Sequence, residues 1–137
     1  MNTIRRLFSV LLVTMVFMSV ATTANAVSPA QTNVQPRYVG VSNATATLSI
    51  SSSGRATVNA RVYTFPDYTA NLVVSLECDS GTPVKSWNNS GGGSVTVDKI
   101  YYVSTGHNYY VSASIEVFDK NGKSVDSFTT ESSVVAY

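Results

Sequence analysis

Residues 44–62 read ATATLSISSSGRATVNARV, two alternating runs around a Ser/Gly link. Ala44, Ala46, Leu48 and Ile50 fall on one face of an extended chain, with Thr45, Thr47 and Ser49 on the other. Ala56, Val58, Ala60 and Val62 repeat the pattern against Arg55, Thr57, Asn59 and Arg61. Successive strand side chains point to opposite faces, so a period of two with one apolar set predicts a half-buried strand. Two such runs joined by Ser51–Gly54 predict a β-hairpin.

The pattern continues downstream. Leu72, Val74, Leu76 and Cys78 predict a third strand over 71–78, and a short fourth is expected at 84–87. Residues 88–93, NNSGGG, read as a flexible loop. Further strands are expected over 95–103, over 108–118 with Tyr109, Val111, Ala113, Ile115 and Val117 on one face, and over 123–130. Asp, Asn, Ser, Gly and Pro at 79–83 and 119–122 supply turns between them. Seven short strands at this spacing predict an all-β domain over 37–137, a seven-stranded antiparallel Ig-like Greek-key sandwich.

Residues 1–26 read as a cleaved signal peptide. Arg5 and Arg6 give the positive start, Leu7–Val20 the apolar run, and Ala24-Asn25-Ala26 the small-x-small cleavage pattern. The run, at about 14 residues, is short of the roughly 20 needed to span a bilayer. A secreted protein with no membrane attachment after cleavage is expected, led by a flexible polar stretch at 27–36.

Composition is therefore read on residues 27–137. This stretch holds 17 Val against 3 Leu, and 29 Ser or Thr. Val and Thr favour pleated, half-buried surfaces. Loss of Arg5 and Arg6 leaves seven Lys and Arg against eight Asp and Glu, a net charge of −1. Near-neutrality without a basic run gives no electrostatic footprint for nucleic acid. A single cysteine, Cys78, permits no internal disulfide.

The segment Val103-Ser-Thr-Gly106-His-Asn-Tyr109-Tyr-Val111-Ser-Ala113 resembles the fibronectin type III signature. In that family a Gly turns the corner and a Tyr opens the next strand. The resemblance implies that Gly106 turns the chain, and that Tyr109 buries its ring and sends its hydroxyl to upstream backbone. The layout is also similar to a group of small secreted proteins of Gram-positive bacteria. Lys85-Ser86-Trp87, Tyr101-Tyr-Val103-Ser-Thr-Gly106 and Asp119-Lys-Asn121-Gly122-Lys123 carry that likeness. It implies no site residues.

Catalytic patterns are sparse. His107, the only histidine, reads as a solvated turn residue, and Cys78 as a small inward-facing hydrophobe. Neither a metal site nor a nucleophile with an oriented base is expected from them. Asp119-x-Asn121-Gly122 lacks the Gly at position 6 and Glu at 12 of an EF-hand loop. The acids are scattered, with Glu77 and Glu116 expected opposite Arg61 and Arg55. No enzyme activity, cofactor or metal is expected.

Antiparallel strands in sequence order would gather the links at 64–70, 88–94 and 119–122 at one end. Phe65, Asp67, Tyr68, Asn88, Asn89, Asp119 and Asn121 are the candidate binding residues there. Aromatics beside Asn, Ser and Gly suit loop-based recognition. Trp87 is expected in the core, where its area is worth most. A secreted, non-catalytic binding or adhesion module for an extracellular glycan or protein is the expected function. The alternatives are a self-associating structural or matrix protein, or a small secreted toxin, bacteriocin or inhibitor.

Overall fold

The computed structural model describes residues 37–137; the signal peptide and leader expected over 1–36 lie outside the described residues. Eight strands follow in order: β1 (Val41–Ile50), β2 (Arg55–Thr64), β3 (Thr69–Cys78), β4 (Pro83–Gly92), β5 (Ser94–Tyr102), β6 (Asn108–Phe118), β7 (Ser124–Glu131) and β8 (Val135–Ala136). They form two antiparallel sheets. One has the order β1-β2-β5; the other runs β4-β3-β6-β7, with β8 paired to β6.

The β1–β2 hairpin pairs like with like: Ala44 opposite Val62, Ala46 opposite Ala60, Leu48 opposite Val58. Its turn is closed by Gly54 N–H on the Ser51 carbonyl, 2.9 Å. In β2, β3 and β6 alternate residues are shut away from solvent. Ala56, Val58, Ala60 and Val62 face Leu72, Val74, Leu76, Val111, Ala113, Ile115 and Val117, none more than 1 % exposed. All the buried residues among those described are apolar. Fully burying a Val or Leu side chain is worth about 1.5–3 kcal/mol, so these stripes drive the two sheets face to face.

Residues 88–92 are not a loop. They complete β4, with Asn88 opposite Val73, Asn89 opposite Leu72 and Ser90 opposite Asn71. β4 is the outer strand of its sheet, paired with β3 alone, and most of its side chains are exposed, only Val84, Trp87 and Gly91 being part-buried, so it carries no apolar alternation. The strand ends at Gly93, a one-residue corner that carries the chain into the other sheet. Thr64 clamps this corner twice: its N–H donates to the Gly93 carbonyl and its Oγ1 accepts from Gly93 N–H, each at 2.8 Å. Gly93 has φ +77°, a conformation that glycine adopts without steric cost.

Other expectations also shift. A short eighth strand joins the seven, Val135 pairing with Tyr109 and Ala136 with Asn108. Trp87 is only part-buried on the outer strand, its ring edge-on to Tyr101 at 6.3 Å. The expected Glu/Arg pairs do not form, because Glu77 and Glu116 lie on one sheet and Arg55 and Arg61 on the other. Arg61 instead donates to Thr96 Oγ1 at 3.1 Å and to the Tyr63 hydroxyl at 2.9 Å.

Tyr109, 3 % exposed, opens β6 and donates its hydroxyl to the Ser104 carbonyl at 2.9 Å. The bond ties the β5–β6 link to the start of β6. Tyr109→Phe keeps the ring and loses this bond. It should lower stability by about 1 kcal/mol in urea denaturation without altering the slope of the transition.

Candidate functional site

The β2–β3 link is the tight turn Phe65-Pro66-Asp67-Tyr68, closed by Tyr68 N–H on the Phe65 carbonyl at 3.2 Å. Pro66 at the second position and positive φ at the third match a type II turn, in which the third residue is ordinarily Gly. Here it is Asp67, at φ +69°, the only non-glycine residue with positive φ among those described.

Tyr68 serves the fold. Its ring lies over Gly40, where an added Cβ would overlap the ring's Cδ1 and Cγ. Gly40 has φ +74° and accepts Phe65 N–H at 2.9 Å, so glycine is required there for both its conformation and its bare face. Phe65 stays 49 % exposed.

The β6–β7 turn is organised by Asp119. Its Oδ1 accepts from Asn121 N–H at 2.8 Å and Lys123 N–H at 3.0 Å. The Lys123 backbone bond foremost, helped by bonds to Asn121 and by the Lys123 charge, holds the Asp119 carboxyl below the usual range, although desolvation, second in size, opposes it. The two turns border a cleft of about 330 Å³ lined by Pro66, Asp67, Tyr68, Asp119, Lys120 and Asn121.

Four of the expected binding residues, Asp67, Tyr68, Asp119 and Asn121, therefore meet in one cleft, with Phe65 beside it in the same turn. Asn88 and Asn89 do not join them. They belong to a separate hollow of about 460 Å³ with Thr96–Lys99, at the seam between β4 and β5. The Asn89 amide is spent on structure: Nδ2 donates to the Thr96 carbonyl at 2.8 Å and Oδ1 accepts from Ser90 N–H at 2.9 Å.

A cluster absent from the sequence reading lies where β3 ends beside the start of β6. Cys78 pairs with Tyr109, which sets Asp79 beside Asn108. Asp79 N–H donates to the Asn108 carbonyl at 3.1 Å, and Asn108 N–H returns a bond to Asp79 Oδ2 at 3.2 Å. Asp79 Oδ1 lies 3.1 Å from His107 Nδ1. The Asn108 backbone bond first, then the His107 bond, hold the Asp79 carboxyl below its ordinary value. The Cys78 thiol, an Asp79 oxygen and a His107 nitrogen all lie within 4.8 Å of one another. Cys78 is part-buried at the strand end rather than sealed in the core. Antiparallel pairing of the third and sixth strands is the signal that would have joined it to His107.

No family model matches the chain, and no curated protein does.

Asp79 and Asp119 both carry folded-state pKa values below the unfolded one, about 3.9. Each therefore contributes stability that is present above that value and lost as pH falls through the lower folded value. Stability should decline on acidification below about pH 4. The Asp79→Asn/Asp119→Asn double variant should show a flatter pH dependence in that window. Denaturation midpoints measured from pH 6 to pH 2 check this.

Proposed function

We propose that this chain is a secreted, non-catalytic binding module of fibronectin type III-like build. On this reading it recognises an extracellular glycan or protein surface through the cleft between the β2–β3 and β6–β7 turns. The export signal read in residues 1–26 and the likeness to small secreted proteins of Gram-positive bacteria support an extracellular ligand. Two antiparallel sheets and the buried Tyr109 at a strand corner support the Ig-like Greek-key topology. Sandwiches of this kind present their recognition residues on the loops at one end.

The observation that carries the proposal is Asp67. A turn that only reversed the chain would take Gly at this position without strain. Asp67 holds an unfavourable conformation and in doing so keeps a carboxylate at the cleft. Strained residues of this kind cluster at ligand-binding sites. Lys120 and Asn121 add hydrogen-bonding groups across the cleft, and half-exposed Phe65 offers an aromatic face beside it. Carboxylate and amide groups bond to hydroxyls while an aromatic face covers apolar carbon, a combination that suits a sugar ring or a polar peptide surface.

Asp67→Gly relieves the strain and removes the carboxylate, so stability and binding should move in opposite directions. A stability gain of up to about 1 kcal/mol is expected, with at least a tenfold loss of affinity for the recognised ligand. Phe65→Ala should weaken binding while leaving stability within about 0.5 kcal/mol. A glycan array and an array of extracellular proteins, probed with the wild type and both variants, read the outcome. Blank arrays, or ligands held equally by all three proteins, would overturn the proposal.

A further inference from the structure

We propose that Cys78, Asp79 and His107 form a binding site for a transition-metal ion of the zinc class. The chain has one cysteine and one histidine, and the fold brings both together with a carboxylate. Each donor stands on backbone that the sheet fixes. Cys78 ends β3 opposite Tyr109, and Asp79 exchanges bonds with Asn108. His107 N–H donates to the Tyr137 carbonyl at 3.1 Å, and its own carbonyl accepts from Tyr137 N–H at 3.0 Å. The donors are thus arranged before any ion arrives.

Their chemistry selects the ion. Zinc takes thiolate sulfur at about 2.3 Å and imidazole nitrogen or carboxylate oxygen at about 2.0–2.2 Å, usually in a tetrahedron. Donors around such a centre stand about 3.3–3.6 Å apart. Asp79 Oδ1 and His107 Nδ1, at 3.1 Å, already have nearly this spacing. The sulfur lies within 4.8 Å of both, so side-chain rotation can close the remaining gap, at the cost of its bonds to the Ser80 hydroxyl at 2.7 Å and N–H at 3.4 Å. Calcium and magnesium prefer shells of oxygen and would gain little from sulfur and nitrogen. One thiolate, one carboxylate and a neutral imidazole balance a divalent charge. The fourth position stays open to water or a ligand.

The triangle is also the wrong shape for a nucleophile relay. In a carboxylate–imidazole–thiol relay the ring separates the outer groups, putting sulfur on the order of 7 Å from the carboxylate. Here sulfur and carboxylate lie within 4.8 Å, so the three atoms converge on a point. The His107 and Asp79 side chains are 46 % and 44 % exposed, so an ion enters from solvent without opening the core. On binding, Cys78 gives its thiol proton to solvent while His107 coordinates as neutral imidazole, and one proton is released per ion.

Cobalt(II) is the direct probe, because a thiolate-to-cobalt charge-transfer band can arise only from Cys78, the sole thiol. Titration of the reduced chain should give this band at one ion per chain, and zinc should displace it. Zinc should also raise the thermal midpoint, since it binds the folded state. Cys78→Ser should abolish the band. His107→Gln, at a half-exposed position that leaves the core intact, should lower zinc affinity at least tenfold and erase most of the thermal shift. Cobalt binding without the band, or zinc affinity in His107→Gln within twofold of the wild type, would overturn the site. Half an ion per chain with a dimer in sedimentation would overturn it as a single-chain site.

Discussion

The inner faces of β2, β3 and β6 admit only apolar side chains, and the rest of the structure depends on that constraint. The register is locked by it. A slip of one residue between β2 and its neighbours would turn Arg55, Thr57, Asn59 and Arg61 inward, and a slip of β3 would do the same to Glu77. Each inward charge would cost several kcal/mol without a partner. With the register fixed, the turns fall where they must, and so do the side chains at the two ends.

Legibility in the sequence follows the same physics. The β1–β2 hairpin was readable because both strands bury one face and expose the other, so the chain carries a clean period of two. Tyr109 was readable because its corner has a local signature. The second half of β4 was not, because residues 88–92 are almost wholly exposed and carry no apolar stripe, and NNSGGG carries turn chemistry. Ending β4 at 87 misplaced Asn88 and Asn89, since a loop at 88–93 would have swung them toward the β2–β3 turn. Asp67, Tyr68, Asp119 and Asn121 come together at one cleft, with Phe65 beside it, because the links at 65–68 and 119–122 are true turns. Cys78 and His107 were legible singly and not as a pair. Their meeting depends on which strand pairs with which, and period-two patterning does not encode partner choice.

Both ends divide their side chains between holding the turn and forming the site. At the β2–β3 end, much of the chemistry that looks like recognition is holding the fold: Tyr68 covers Gly40, and Asp119 caps the backbone of its own turn. What is left over is Asp67, Phe65, Lys120 and Asn121. At the opposite end the same sharing appears: Asp79 Oδ2 accepts from Asn108 N–H and the Cys78 sulfur bonds Ser80, while Asp79 Oδ1, His107 and the thiol stand close to one another.

The β4–β5 seam shows why a Gly-rich stretch need not be mobile. Gly93 is a single-residue passage between sheets, and Thr64 satisfies both its N–H and its carbonyl. Two residues before the run of glycines, Asn89 reaches from β4 to the Thr96 carbonyl on β5 and stitches the edges of the two sheets together. A segment with both of its neighbours in ladders and its own polar groups paired has little freedom to reshape around a ligand. Glycine is used here for a backbone angle, and the adaptable surface lies in the turns, where strain and exposure coincide.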